Sequence, residues 1–376
     1  MDIAVNTRLL IKNKLEGIGW FTYESLKRIT TQHPEHHFYF IFDRPYDPEF
    51  IFSANITPIV QAPPTRHPVL FCIWFDLALP PLLNRLKPDL FLSPDGFLSL
   101  RTRVKSMAVL HDLNFEHYPD DLPFWYYRYY HHYFPGFARK AARIATVSEF
   151  SKQDISRRYR IPPEKIDVVY NGANEQFGPV PEEEQIRVRK QYTGGSPYFI
   201  FIGSLHPRKN LVNLFRAFDL FKESRPSDVK LLIAGAKKWW TRPISRAYQE
   251  MKHQEEVVFA GRIGAPELGR LLGSAIALTY ISYFEGFGIP IVEAFRCRTA
   301  IITSRVTSMP EVAGDAALLV DPFDPAGIAN AMAELFTDEG LRNELIRKGV
   351  ERQNVFTWQK TADLLWESIE KTIQTD

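Results

Sequence analysis

Short apolar runs alternate with amphipathic stretches from one end of the chain to the other. In the first half the runs predict strands at 2–5, 38–42, 57–60, 89–92, 107–110, 143–147 and 166–169. In the second half they predict strands at 198–203, 229–235, 257–261, 276–280, 300–304 and 316–320. Helical patterns fall between the strands, and this rhythm is typical of parallel sheets joined by crossover helices. We therefore expect an α/β protein with two sheets.

The segment between the two halves, NGANEQFGPVPEEEQ at 171–185, is rich in Gly, Pro and charge and carries no sustained period. A chain of 376 residues suits two domains better than one core. We predict a first domain at 1–175, a linker at 176–195, a second domain at 196–355 and a helix at 356–376. The last helix carries Leu364, Leu365 and Ile369 on one side, and we expect it to return to the first domain.

Composition narrows the function classes. Apolar residues make up 45% and charged residues 24%, and the net charge is +2, so the average field gives no reason to expect nucleic acid as a partner. Cys72 and Cys297 lie far apart in apolar or helical stretches, which indicates buried thiols in a reducing compartment. The start lacks a signal peptide and we see no apolar run of 18 residues, so we expect a cytoplasmic protein.

An aromatic and basic stretch, YYRYYHHYF at 126–134, lies on one predicted helix. Two interpretations stay open. The helix is amphipathic and lies on a domain surface, with polar tips in water. Alternatively, it contacts a membrane, which would place the protein at the inner face of that membrane.

The densest group of candidate residues is SYFEGFGIPIVEAF at 282–295, directly after a predicted strand. Gly286 and Gly288 let the backbone bend and approach a ligand closely. Pro290 is placed as the first helical residue, so the N–H groups of Phe287, Gly288 and Ile289 would form a seat for phosphate. The alternative to a phosphate site is a tight strand-to-helix turn that binds no ligand.

Two glutamates flank that seat. Glu285 precedes the turn, and we place Glu293 in the first turn of the helix. Carboxylates at this spacing are good acceptors for the hydroxyl groups of a sugar. A glutamate near a helix start also complements the helix dipole without any ligand, so both interpretations stay open for each residue.

A second group, GSLHPRKNL at 203–211, follows the first strand of the second half. Gly203 ends the strand, Ser204 follows it, and Asn210 is a candidate helix cap. Arg208 and Lys209 stand at the carboxyl edge of the sheet, where they can neutralise a diphosphate. The chain contains neither GxxxxGK[ST] nor a GxGxxG after a strand, which argues against an ATPase or a dinucleotide-dependent dehydrogenase.

Further candidates follow other predicted strands. Gly235, Arg262 and Ile263 come after the next two strands of the second half, and we add them to the donor-binding group. In the first half, Gly17, Ile18 and Gly19 precede a helical pattern, and His111 and Asp112 follow the strand at 107–110. We assign Gly17 to Gly19 and Asp112 to the acceptor side, although a helix-start turn explains the glycines equally well.

These motifs together resemble the retaining glycosyltransferases of family 4, also called glycosyl transferases group 1. EGFGIPIVEAF is similar to the Glu-x7-Glu signature of that family, and GSLHPRKN to its phosphate-binding motif. HDLNF, TVSEFSKQDI, VVYNGAN and LLVDPFDP also resemble stretches that the family carries in this order. The resemblance implies the GT-B fold, two Rossmann-like domains with parallel sheets facing across a cleft.

The resemblance also implies roles for single residues. Glu293 would bind ribose hydroxyls, Glu285 and the following amides the donor sugar, Arg208 and Lys209 the diphosphate, and His111 the sugar near its reacting carbon. Two departures matter. Many members have an arginine where this chain has Ser204, and many have a glycine near 298, where this chain has Arg298.

The activity implied is transfer of a hexose, with mannose from GDP-mannose favoured, to a glycan or a lipid-linked acceptor in polysaccharide or lipopolysaccharide synthesis. The reaction would retain configuration and need no metal and no cofactor, because basic side chains and helix amides stabilise the departing diphosphate. We keep two alternatives. One is a glycosidase that uses Glu285 and Glu293 as its acid and nucleophile. The other is an inactive module that binds a nucleotide or a glycan.

Overall fold

The computed structural model describes residues 1–374, with all their side chains except that of Lys238. It divides into two compact units. Unit 1 consists of Met1–Gly172 together with the chain from Trp358 onward, and unit 2 is the continuous segment Ala173–Thr357.

Every strand predicted from the apolar runs is present, with ends within two residues of the prediction. The strands are β1 (Asp2–Asn6), β2 (His37–Phe42), β3 (Ile56–Val60), β4 (Leu90–Ser93), β5 (Ser106–Leu110), β6 (Arg143–Thr146), β7 (Ile166–Val168), β8 (Tyr198–Ile202), β9 (Lys230–Ala234), β10 (Val257–Gly261), β11 (Ala277–Tyr280), β12 (Ala300–Ser304) and β13 (Leu318–Val320).

Helices connect these strands throughout. They are α1 (Gly17–Gln32), α2 (Pro68–Ile73), α3 (Leu79–Leu86), α4 (Asn114–His117), α5 (Phe124–Lys140), α6 (Glu149–Tyr159), α7 (Glu182–Thr193), α8 (Leu211–Ser224), α9 (Arg242–Gln249), α10 (Ala265–Gly273), α11 (Ile289–Arg296), α12 (Met309–Ala313), α13 (Pro325–Thr337), α14 (Glu339–Arg352) and α15 (Trp358–Gln374).

Each unit holds one parallel sheet, so both are Rossmann-like α/β domains. Unit 1 has seven strands in the order β3-β2-β1-β4-β5-β6-β7, and unit 2 has six in the order β10-β9-β8-β11-β12-β13. The central strands are buried on both faces, which is why they appear in the sequence as uninterrupted apolar runs.

The strand order reverses direction once in each sheet. In unit 1 the reversal lies between β1 and β4, and in unit 2 between β8 and β11. In open parallel sheets, ligands bind in the crevice outside the carboxyl ends of the strands at such a switch point. The residues that follow β8 and β11 are therefore the first place to look for a site in unit 2.

The predicted linker at 176–195 is wrong in part, because it contains helix α7. This helix lies within unit 2 and packs against α10, and Tyr192 donates a hydrogen bond to Glu267 at 2.9 Å. Of its residues only Val188 and Thr193 are buried. The sequence shows no amphipathic period there because so narrow an apolar stripe is hidden among charged residues.

The last helix, α15, belongs to unit 1 and packs against α1. Leu365 and Ile369 are fully buried, and Leu364 is half-buried. The Thr361 hydroxyl donates to the carbonyl oxygen of Tyr170 at 2.7 Å, which ties the helix to the chain just after β7.

The expectation that no long apolar segment occurs is also wrong. The helical stretch Pro68–Leu86, made of α2, a π-helical turn and α3, has a mean hydropathy of 1.4 and passes the length and composition test for a membrane span. Phe71, Trp74 and Leu79 of this stretch are buried in the core of unit 1. Burial of that kind is typical of a core helix in a folded domain.

Candidate functional site

Two glycines bring the ends of β8 and β9 together at the carboxyl edge of the unit 2 sheet. Gly203 has φ +145°, a conformation open mainly to glycine, and its N–H donates to the Ala234 carbonyl at 3.0 Å. A Cβ atom on Gly235 would lie 1.8 Å from the carbonyl oxygen of Gly203. Both glycines therefore have a steric reason to be there, and together they shape the edge from which Ser204 and the next residues continue.

The Arg208–Lys209 turn is joined to the loop that follows β11. The Tyr283 N–H donates to the Arg208 carbonyl at 3.0 Å. The Asn210 amide donates to the carbonyls of Ile281 and Pro322 at 3.2 and 2.5 Å. Asn210 has φ +62°, makes no side-chain cap to α8, and so does not cap that helix as predicted. It instead ties the two loops at the switch point to each other.

Glu285 connects the two groups of candidate residues. Its Oε1 accepts a hydrogen bond from the Lys209 ammonium group at 2.5 Å, and its Oε2 lies 3.6 Å from Nη1 of Arg208. The Lys209 ammonium also donates to the Tyr280 hydroxyl at 2.7 Å and lies 4.8 Å from the centre of that ring. The two sequence motifs therefore form one charged cluster outside β8 and β11.

The protonation state of Glu285 is set by this cluster. Burial alone would raise the pKa of the Glu285 carboxyl group, but the charges of Arg208 and Lys209 outweigh it and lower the pKa to about 2. Burial raises the pKa of Tyr280 far above its usual range, so its phenol stays protonated. Two cations thus face one permanent carboxylate, which leaves the site an excess of positive charge.

The loop from Glu285 to Gly288 is fixed by the chain before α12. The Ser308 hydroxyl lies within hydrogen-bond distance of the carbonyls of Glu285 and Phe287, at 2.9 and 3.1 Å. The Glu285 N–H donates to the Thr307 hydroxyl at 3.4 Å. Gly288 has φ +104°, and a Cβ atom there would lie 2.9 Å from the methyl carbon of Met309. Gly286 lies between these contacts, so hydrogen bonds and packing fix the backbone of the loop on both sides of it.

Two details of the predicted helix start are wrong. Helix α11 begins at Ile289, one residue before Pro290. Glu293 is its fifth residue and therefore lies in the second turn rather than the first. The side chain consequently does not complement the helix start, which removes the dipole explanation offered for it.

The Glu293 side chain is partly buried and makes no hydrogen bond or ion pair within residues 1–374. Burial raises the pKa of its carboxyl group to about 7. A carboxyl group held in this way keeps its acceptor capacity for a ligand. Its environment is the opposite of that of Glu285, which is paired with Lys209 and lies beside Arg208.

The remaining donor-side candidates follow β8 and β10. Ser204 is exposed just after Gly203. Arg262 and Ile263 follow β10, the edge strand, which is two places from β8 in the sheet order.

His111 lies at the carboxyl end of β5 in unit 1. Its Nε2 is 2.8 Å from the Pro94 carbonyl oxygen, and its ring packs edge-on against Phe21 of α1 at 5.0 Å. Burial lowers the pKa of His111, so the ring is neutral near pH 7. Because a carbonyl only accepts, the proton is on Nε2 and Nδ1 carries a lone pair. His111 can therefore accept a hydrogen bond from a hydroxyl group.

The other acceptor-side candidates have local roles. Helix α1 begins at Gly17, so Gly17, Ile18 and Gly19 form its first turn rather than preceding it. A Cβ atom on Gly19 would lie 3.2 Å from a methyl carbon of Leu15, whereas Gly17 has open space around it. Asp112 accepts a hydrogen bond from the Asn114 N–H at 3.0 Å, which starts α4.

The switch point of unit 1 holds a polar network that the sequence did not reveal. Arg8 Nε donates to Asp95 Oδ2 at 2.6 Å, and the Asn6 amide donates to Asp95 Oδ1 at 2.8 Å. The Arg8 guanidinium also lies 4.3 Å from the centre of the Phe97 ring. Arg8 and Asp95 are both almost completely buried.

Sequence reasoning also missed Tyr280, Thr307 and Ser308. A tyrosine at the end of the apolar run IALTY was the only available signal for the first, since such a hydroxyl needs a partner when buried. Thr307 and Ser308 precede a short helix and look like ordinary cap residues in the sequence. Their contacts join residues more than twenty positions apart, which spacing along the chain does not disclose.

Two family models match the chain. "Glycosyltransferase Family 4" matches residues 16–177 and "Glycosyl transferases group 1" matches residues 182–352. The first covers most of unit 1, and the second covers nearly all of unit 2 with the charged cluster inside it.

Curated relatives with stated activities are also similar. The O-antigen chain mannosyltransferase B of Escherichia coli is 27% identical over 278 residues, which is 74% of this chain and 73% of the relative. The serotype-specific mannosyltransferase WbdA of Escherichia coli is 25% identical over 279 residues, 72% of this chain but only 34% of the relative.

Solved structures match over the whole length. The sucrose-phosphate synthase from Thermosynechococcus elongatus has a TM-score of 0.78 at 17% identity, with full coverage of both chains. The Anabaena protein HepE, solved with UDP and glucose, has a TM-score of 0.73 at 16% identity and covers 99% of this chain and 100% of its own. At these identities the likeness shows the fold alone.

Proposed function

The chain belongs to the glycosyltransferases of family 4, group 1, and is a glycosyltransferase; from the chemistry of its site we propose that it transfers a hexose from a nucleotide sugar, without a metal ion and with retention of configuration. The observation that carries this proposal is the cluster of Lys209, Arg208 and Glu285 at the switch point of unit 2. The acceptor that we propose is a glycan or a lipid-linked glycan.

The donor diphosphate would bind beside Arg208 and Lys209 and in front of the start of α11. When the bond between sugar and diphosphate breaks, negative charge grows on the phosphate oxygens. Two fixed cations and the positive end of a helix stabilise that charge in a partly desolvated site, which is commonly the largest single term in such catalysis. These groups supply the electrostatic role that a metal ion would otherwise play.

The two glutamates would bind hydroxyl groups rather than transfer protons. Glu285 is held ionised by its cationic neighbours and has no proton to donate near neutral pH. It can accept from the hydroxyls of the donor sugar, and Glu293 from those of the ribose. In unit 1, Nδ1 of His111 is a further acceptor for a substrate hydroxyl. Because Glu285 is paired with two cations that suit a departing diphosphate and that a glycosidase does not need, we prefer transfer over the glycosidase alternative.

The sugar that we favour is mannose, carried by GDP. Two relatives that match more than 70% of this chain are named mannosyltransferases, one of them for O-antigen chains. The same names support our proposal of a product of the polysaccharide or lipopolysaccharide type.

The test is a screen of UDP-, GDP- and ADP-linked sugars by thermal shift and by slow donor hydrolysis. We expect GDP-mannose to raise Tm most and to be hydrolysed fastest, since substrate binding to the native state stabilises it. Lys252→Ala, which removes an exposed lysine of unit 2, should leave the ranking unchanged. If no nucleotide sugar shifts Tm while free hexoses do, the donor site is assigned wrongly.

We further propose that the protein works on the cytoplasmic side of a membrane surface. Phe124 and Trp125 at the start of α5 are 63% and 68% exposed, and Arg128 is exposed one turn later. Exposed aromatic and basic groups on one helix suit the interfacial region of a bilayer. Replacing Phe124 and Trp125 with serine should reduce sedimentation with vesicles without changing donor affinity, and unchanged sedimentation would contradict this proposal.

A further inference from the structure

Unit 1 has a cavity between helices α4, α5 and α6 that contains none of the residues assigned to substrates. Its volume is about 390 Å³, within the range of small-molecule sites. Its polar lining includes Glu116, His131, Arg139, Arg158 and Arg160. The lining therefore includes three arginines and a single carboxylate.

One wall of this cavity is held in place by Glu116, whose side chain is 3% exposed. Its carboxylate accepts hydrogen bonds from Nδ1 of His131 at 2.8 Å and from the Tyr159 hydroxyl at 2.9 Å. Nη2 of Arg158 donates to the Glu116 carbonyl at 2.5 Å. Glu116 is thus occupied by its neighbours, and it positions His131 and Arg158 at the cavity.

The side chains of Arg139 and Arg160 make no hydrogen bond or ion pair within residues 1–374, although both line the cavity. Arg139 lies in the last turn of α5, and Arg160 follows α6 with φ +57°. Basic residues at helix ends complement the helix dipole. The helix dipole explains why Arg139 lies at the end of α5 and Arg160 at the end of α6. It does not explain why both line the same cavity as Arg158.

We propose that this cavity binds the phosphate group of a small phosphoester. Guanidinium groups match phosphate with paired hydrogen bonds, and a phosphate offers three oxygens to donors that approach from different sides. Arg139 and Arg160 supply the free donors, and Arg158 completes the set from the wall. The site is separate from the donor diphosphate site, which lies in unit 2.

Two sources could supply such a phosphate. One is a soluble phosphoester, and the other is the headgroup of an anionic phospholipid. A phospholipid headgroup would connect the cavity with the exposed aromatic residues at the start of α5, which also contributes to the cavity lining. This version of the inference rests on the membrane proposal above.

The experiment uses the full chain with saturating nucleoside diphosphate, so that the donor site is occupied. Calorimetry with glycerol 3-phosphate tests the soluble source. Sedimentation with phosphatidylglycerol vesicles, compared with phosphatidylcholine vesicles, tests the lipid source. We expect Arg139→Ala together with Arg160→Ala to weaken whichever binding is observed by about tenfold or more, since each lost contact is charge-assisted.

The matched control is Arg157→Ala, which removes an exposed arginine of α6 that does not line the cavity. It should leave binding unchanged. Equal loss in the control and the double variant would mean general charge attraction and would overturn the proposal, as would no binding to either probe. Nucleoside diphosphate affinity, measured in the same variants, should be unchanged, which separates failure here from failure of the donor assignment. Unchanged Tm in the double variant would exclude a merely structural role.

Discussion

Each unit has an ion pair at the switch point of its sheet, but the surroundings of the two pairs differ. In unit 1, Arg8 after β1 pairs with Asp95 after β4, and in unit 2, Lys209 after β8 pairs with Glu285 after β11. Each pair joins the two strand ends that border the switch point. Both pairs are largely buried, but Arg208 beside the pair in unit 2 is 25% exposed.

The difference lies in what surrounds the cation. The Arg8 guanidinium group lies over the rings of Phe71 and Phe97 and pairs with Asp95. Side chains of unit 1 therefore occupy this switch point. In unit 2 a second cation lies beside the pair, and the surplus positive charge faces the edge of the sheet. We therefore propose that the switch point of unit 2 is an anion site because its cations outnumber the carboxylate that holds them.

Breaking the closed pair should have the largest effect. Arg8→Met leaves Asp95 buried without its cation, and such a loss commonly destabilises a protein by about 3–5 kcal/mol. We expect that loss in denaturant unfolding followed by hydrogen exchange of the β1 and β4 amides. Nucleoside diphosphate affinity of the remaining folded protein should not change.

The control for Arg8 is Lys12→Ala, which removes a lysine that is 52% exposed and paired with Asp47. An exposed pair contributes at most about 1 kcal/mol. If both variants unfold at the same denaturant concentration, the buried pair does not hold the strand ends together.

Breaking the pair in unit 2 should weaken ligand binding. Lys209→Ala removes a charged contact to the diphosphate, which we expect to weaken nucleoside diphosphate and nucleotide sugar binding by roughly 1.5–3 kcal/mol in calorimetry. Free hexose affinity should stay as it is. Unchanged diphosphate affinity would show that Lys209 serves only Glu285.

A smaller effect should follow from Glu293. Burial raises its pKa in the folded protein to about 7 from 4.5, so the stability that the neutral form contributes is present below 4.5 and is lost as pH rises through 7. The stability of the wild type relative to Glu293→Gln should therefore fall over this window. Nucleoside affinity of the wild type should rise several-fold as the carboxyl group ionises, and remain flat in the variant.

Chelation should have the smallest effect. Since the positive charge at the open switch point comes from Arg208 and Lys209, we expect transfer to persist in excess EDTA. Loss of transfer with EDTA and its return with Mg²⁺ or Mn²⁺ would show that these cations do not suffice.

The strands and the loops that follow them could be predicted because buried parallel strands appear as plain apolar runs, and glycines such as Gly203 and Gly235 mark where a run ends. The ion-pair partners of the charged residues at the strand ends could not be predicted. Asp95 lies 87 residues from Arg8, and Glu285 lies 76 residues from Lys209, so only the folded sheet brings them together. Helix α7 was missed because two buried side chains are too few to produce a period. Charges at strand ends can be foreseen, but whether they are neutralised depends on packing.

The return of the chain to unit 1 sets an order for folding during synthesis. Unit 2 is one continuous segment, whereas unit 1 needs α15, which the ribosome makes only after unit 2 is finished. Until then the face of α1 that packs against α15 stays uncovered, and His33 lacks the Trp366 ring that stacks on it at 3.8 Å. Domains usually become complete in the order in which they are translated. Here the domain that is begun first is completed last, so an interrupted chain carries a finished unit 2 beside an unfinished unit 1.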